Sequence, residues 1–133
     1  MQRVFADTSF LAAFLNDADQ WHWRAMGWSR SHDEELVTTE YVIVELGSMM
    51  SFGHLRALFL DFVEGCRNGD VARIVPASEE LLAAGLGLFA ARPDKRWGLA
   101  DCVSFGVMKR MGITESLTFD HHFGQAGFVM LPD

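Results

Sequence analysis

Short apolar runs and helical spacings alternate along this chain. Residues 3–6, "RVFA", form an apolar run stopped by Asp7, which predicts a strand. Thr8 or Ser9 is then expected to cap a helix through "FLAAFLN". A second helix is expected over residues 20–30, followed by the acidic turn "HDEE" and a strand at 36–39, "LVTT". In "EYVIVELGSMM" the apolar positions 42, 43, 46, 49 and 50 carry a helical period. The pattern continues with a helix over 54–67 closed by "NGD", and a strand in "VARIVP" that Pro76 ends. Residues 78–91 read as helix despite Gly85 and Gly87, and 99–111 as a helix stopped by Gly112. "SLTF" and "FVML" supply the last two strands.

About five short strands separated by helical segments predict an α/β protein, a three-layer α/β/α sandwich with a mainly parallel sheet. No linker or repeat divides the chain, so residues 1–133 are expected to form a single domain. Half of the residues are hydrophobic, with 11 Phe and 4 Trp, enough to fill a core and to argue against disorder. Cys66 and Cys102 lie in apolar helical patterns and read as small buried thiols of a reduced protein, with a single bridge left open. An acid at position 7 interrupts any signal-peptide run, and no segment approaches a membrane span. A cytoplasmic protein with no membrane partner is expected.

The formal charge of -7 argues against a broad basic face for duplex DNA. It leaves room for a nuclease whose acidic centre holds cations. Four acids fall where such a centre would form. Asp7 follows the first strand and Asp120 the fourth; Asp101 opens the helix before that fourth strand, and Glu45 lies on the helix after the second. A parallel sheet gathers its C-terminal strand ends and the following helix starts on one rim, where ligands bind. "LADCVSFGVM" is apolar nearly all round, so its helix carries Asp101 towards the interior, where a carboxylate needs a partner. Taken singly, Asp7 and Asp101 could be helix-capping acids, Glu45 a flank residue and Asp120 a turn residue. Together they repel one another, and a divalent cation relieves that repulsion. Hard oxygen donors favour Mg²⁺, with Mn²⁺ as the alternative, and phosphodiester hydrolysis is the chemistry that needs one or two such ions.

The segments "VFADTSFLAAFLNDADQWH", "LVTTEYVIVELGSMM" and "DKRWGLADCVSFGVMKRMGITESLTFDHHFGQAGFVML" together resemble the PIN-domain ribonucleases, specifically VapC-type toxins of bacterial toxin–antitoxin pairs. The resemblance covers essentially the whole chain. It implies a metal-dependent endoribonuclease leaving 5′-phosphate and 3′-hydroxyl ends, with Asp7, Glu45, Asp101 and Asp120 as its acidic metal site. Asp7 and Asp101 would be the principal ligands, and Ser9 a hydrogen-bonding neighbour. It also implies an RNA substrate, a cognate antitoxin that can place a basic side chain among the acids, and a homodimer. Gly98 and Ala100 depart from the Ser-Leu-Thr-Asp-Cys common in the family, and Ala100 removes a hydroxyl beside the principal acid.

Other readings are weaker. His121 and His122 are adjacent, so their side chains are expected to diverge, as loop residues rather than ligands; Phe123 is expected to anchor the turn. Asp94 reads as a solvated loop acid paired with Lys95 or Arg96, and those two cations as candidate phosphate contacts. A haloacid-dehalogenase-type phosphatase would need an acid at position 9, where Ser9 stands, and no glycine-rich phosphate loop is present. The alternatives that remain are a non-catalytic PIN-fold module binding RNA or protein, and a solitary PIN nuclease without an antitoxin. Trp21, Trp23, Trp28, Met49, Met50, Phe52, Leu55 and Phe59 are either core residues or a partner surface.

Overall fold

The computed structural model describes residues 2–133. The strands are β1 (Arg3–Ala6), β2 (Glu35–Thr39), β3 (Ala72–Val75), β4 (Glu115–Leu117) and β5 (Val129–Leu131). The helices are α1 (Thr8–Leu15), α2 (His22–Ser31), α3 (Glu40–Met49), α4 (His54–Arg67), α5 (Glu79–Ala91), α6 (Leu99–Met111) and the one-turn α7 (His122–Gln125). The five strands form one sheet in the order β3-β2-β1-β4-β5, and every neighbouring pair is parallel. Right-handed crossovers then put α1–α4 on one face and α5–α7 on the other. This is the expected three-layer sandwich.

The central strand shows why the sheet is buried. Val4, Phe5 and Ala6 are fully enclosed, as an apolar run covered on both faces must be. Helix starts follow local chemistry: Thr39 accepts a hydrogen bond from the Val42 amide, and Ser78 one from the Leu81 amide, both at 3.1 Å. Gly112 ends α6 with φ 69°, and the Ile113 amide donates back to Met108 O at 2.8 Å. Gly85, a reason to doubt α5 from sequence, allows α5 to lie tight on α6. A Cβ there would stand 2.5 Å from Val103 Cγ2. Cys66 and Cys102 are unbridged and buried, and burial pushes both thiols up.

Three local expectations need correction. The N-cap of α1 is Asp7, and it makes no side-chain capping bond; Thr8 and Ser9 are drawn into other bonds described below. The fourth strand stops at Leu117 rather than Phe119, because the Thr118 hydroxyl turns inward and accepts the Asp120 amide at 2.9 Å. Asp120 therefore sits in a turn beyond the strand. That turn leads into α7, which the sequence reading left as loop.

Candidate active site

The strand order reverses beside β1, between β2 and β4, so the rim above β1 is the switch point of the sheet. Asp7 leaves β1 there. Its neighbours on the rim come from the N-terminal turn of α6 and the turn after β4, while Glu45 reaches in from the second turn of α3. One cavity of about 340 Å³ is lined by Asp7, Thr8, Ser9, Glu45, Met49, Gly98, Leu99, Ala100, Asp101 and Asp120. All four acids singled out in the sequence meet in it.

Each carboxylate is held by one oxygen. Asp7 Oδ2 accepts from Ser9 Oγ at 3.1 Å and from Thr118 Oγ1 at 2.9 Å. Glu45 Oε1 accepts from the Thr8 hydroxyl. Asp101 Oδ2 accepts the Gly98 amide at 3.1 Å and lies 3.2 Å from His122 Nδ1. Asp120 Oδ1 accepts the His122 amide at 3.0 Å and is also 3.2 Å from His122 Nδ1. Among the described residues, no side chain donates to the second oxygen of any of the four. Capping by Asp101 and membership of the cluster are thus compatible: one oxygen satisfies the helix end and the other is left over.

The electrostatics follow from burial without a counter-cation. Asp7 is 5% exposed, and desolvation pushes its carboxyl up to about 6; the Asp101 charge adds to this, while bonds from Thr118 and Ser9 oppose it. Asp101 is raised in the same sense, first by burial, then by Asp120, against the Gly98 amide. Four oxygens free of side-chain donors, two of them on the carboxylates of Asp7 and Asp101 that burial makes reluctant to ionise, suit a small hard divalent cation.

The sequence reading placed His122 outside this cluster, and the geometry puts it inside. One turn of α7 folds it back so that Nδ1 faces Asp101 and Asp120, and its side chain is only 19% exposed against 75% for His121. The two imidazoles do not diverge; their centroids are 4.6 Å apart. Ligand atoms of Asp120, His121 and His122 lie within 4.8 Å of one another. Phe123 anchors α7 as expected, fully buried against Phe5 and Phe105. The signal for His122 was the buried Phe123 beside it, which fixes the direction of its neighbours.

Asp94 stays apart. It pairs with Arg92 at 2.9 Å, not with Lys95 or Arg96, and that partner holds its carboxyl down at about 2. Lys95 stands 6.0 Å from the Trp97 ring, and neither Lys95 nor Arg96 lines the acid cavity. No helix among the described residues is long and apolar enough to cross a membrane.

A parallel α/β/α domain with four convergent carboxylates at its switch point defines an acid-rimmed hydrolase-like site. The sequence profile of the PIN domain matches residues 4–129, and the chain belongs to the PIN-domain family. Relatives from two strains of Mycobacterium tuberculosis, each named 23S rRNA-specific endonuclease VapC20, are 28% identical over 128 residues, covering 95% of this chain and 95% of theirs. The crystal structure of M. tuberculosis VapC20, described as a sarcin-ricin loop cleaving toxin, matches with a TM-score of 0.86 at 25% identity, over 95% of this chain and 96% of that one. FitAcB from Neisseria gonorrhoeae matches at 0.69 with 18% identity, covering 96% and 95% of the two chains, and shares the fold.

Proposed function

We propose that this protein is a divalent-metal-dependent endoribonuclease, acting as the toxin of a toxin–antitoxin pair. The observation that carries the reading is the cavity in which Asp7, Glu45, Asp101 and Asp120 each keep one oxygen clear of side-chain donors. These four acids would hold Mg²⁺, or Mn²⁺ in its place. Such an ion supplies positive charge that offsets the phosphoryl group and acidifies water. The protein's own part is orientation. Ser9 and Thr118 fix Asp7, Thr8 fixes Glu45, and the Gly98 amide with His122 fixes Asp101, so that the ligand oxygens are set before substrate arrives. Water oxygen attacks phosphorus, the bond to the 3′ oxygen breaks, and that oxygen leaves with a proton, giving 5′-phosphate and 3′-hydroxyl ends.

The 23S rRNA named for the relative is the first substrate to test. Cleavage should require Mg²⁺ or Mn²⁺, stop in excess EDTA, and disappear in Asp101→Asn. Equal cleavage in EDTA would rule out the metal mechanism. A readout independent of activity is thermal: Mn²⁺ at a hundredfold its Kd should stabilise the wild type by about 2.7 kcal/mol, raising Tm by several degrees, and should not do so for Asp7→Asn.

The partner reading extends the same proposal. Val44 of α3 and Leu82, Leu86 and Phe89 of α5 are large exposed apolar residues, a face suited to a second copy of the chain. Light scattering of the purified protein should give twice the monomer mass. A cognate antitoxin would inhibit by placing a basic side chain among the four acids.

A further inference from the structure

The same rim carries a second concentration of chemistry outside the acid cavity. Phe119, which precedes Asp120, stacks on Phe10 with centroids 6.2 Å apart and on Trp21 at 5.4 Å, the latter pair inclined by only 14°. The Arg24 guanidinium stands 5.4 Å from the Trp21 ring and 5.7 Å from the Phe119 ring. Those near-equal separations place it beside the stack, where its Nη2 donates to Pro132 O at 3.1 Å. Trp21 remains 37% exposed and Trp23, two residues on, 70% exposed.

This stack is tied to the acids. The Phe119 amide donates to Ser9 Oγ at 2.9 Å, and Ser9 Oγ donates to Asp7 Oδ2 at 3.1 Å. The turn after β4 therefore carries both Phe119, the ring that backs Trp21, and Asp120, a carboxylate of the candidate centre. A planar ring backed by a second ring, with a guanidinium at its edge, matches an unpaired nucleobase and the phosphate attached to it. A duplex hides its base faces, and an apolar peptide side chain gives Arg24 no anion to meet. Stacking also needs no positive field, which suits a chain of net charge -7.

We propose that Trp21, backed by Phe119 and edged by Arg24, is a stacking platform for an unpaired base of an RNA strand whose neighbouring phosphate lies at the acid cavity. This rests on the ribonuclease reading for the identity of the strand. The test measures binding in the Asp7→Asn background, with Mg²⁺ present, by anisotropy of a labelled single-stranded decanucleotide and of the same sequence in a duplex. Trp21→Ala should weaken single-strand binding by about tenfold and leave the duplex unchanged, while Trp21→Phe, which keeps a ring, should fall within about threefold. Matching melting temperatures show that the Ala variant is folded; if it is not, Trp21→Leu, which fills the space without offering a ring face, carries the comparison with the same expected loss. Equal single-strand affinity in all three, or no single-strand binding by any, overturns the platform. So does a change of oligomeric mass in Trp21→Ala with RNA affinity intact, which would assign the face to a protein partner. Cleavage by the otherwise wild-type chain is scored separately. No cleavage with Trp21-dependent binding removes the nuclease reading and keeps the platform; cleavage with Trp21-independent binding does the reverse.

Discussion

The loop between α5 and α6 and the rim above β1 both hold carboxylates, and they manage the charge in opposite ways. Asp94 lies in solvent with Arg92 clamped on both of its oxygens, at 2.9 and 3.0 Å, and its carboxyl is held down at about 2. Asp7 lies in the interior with two hydroxyls and the Thr8 backbone at its side chain instead of a cation, and burial drives its carboxyl up to about 6. The first acid is balanced by the chain itself. The second is left without a cationic side chain beside three more acids, at a cost to folding that protonation or a bound cation would relieve. An unpaired buried charge is thus the mark of a site, and a paired exposed one the mark of a surface.

The largest contrast should appear in catalysis. Asp7→Asn or Asp101→Asn should lower RNA cleavage by about a hundredfold or more, while Asp94→Asn stays within about twofold. Single-turnover cleavage of 23S rRNA by the three purified variants measures this, and wild-type turnover by Asp101→Asn would erase the distinction between the two regions.

Stability against pH sharpens the comparison next. Asp7 has a folded-state carboxyl raised above its unfolded value, so its contribution is fully present below about 4 and is lost as pH rises through about 6. A shift from 3.8 to about 6 corresponds to about 3 kcal/mol. In EDTA, urea unfolding should therefore find Asp7→Asn more stable than wild type at pH 7, by an amount approaching that figure, with the gap closing near pH 4. Asp94 has the opposite sign: its pairing with Arg92 is present at neutral pH and fades as pH falls towards about 2. A gap that widens on acidification would refute the account of Asp7.

The histidines give a smaller effect. His122→Ala should weaken Mn²⁺ binding by about tenfold, measured calorimetrically, because Asp101 and Asp120 lose the group that orients them. His122→Asn, which restores a donor near the position of Nδ1, should recover part of it. His121→Ala should change affinity by less than twofold, since its ring is exposed and 3.9 Å from Asp120. Equal losses for both histidines would mean that proximity alone matters.

Much of this arrangement was legible in the residues. Apolar runs closed by Asp7, Pro76 and Gly112 located strands and helix ends to within a residue or two, because burial and backbone geometry act locally there. The four acids were legible because a parallel sheet gathers strand ends at one rim. What stayed hidden depends on direction. Adjacent histidines say nothing about divergence until one knows that a single helical turn, pinned by Phe123, sets their angle. Likewise, Lys95 is nearer to Asp94 in sequence than Arg92 and Arg96 is as near, and only the path of the loop selects Arg92. Thr118 reads as an ordinary strand residue, yet it shortens the strand to serve Asp7 and Asp120.

The pairing of β1 with β4 has a bearing on how the protein is made. The two strands are parallel neighbours at the centre of the sheet, and Thr118 reaches Asp7 across 111 positions of chain. Synthesis delivers Asp7 and Glu45 early and Asp101 later, but Thr118, Asp120 and His122 only near the end. Until those residues leave the ribosome, β1 has one open edge, and Asp7 lacks one of the two hydroxyls that fix it. A half-made chain therefore has no assembled centre: Asp7, Glu45 and Asp101 can be complete as residues long before the turn after β4 arrives to close the cluster.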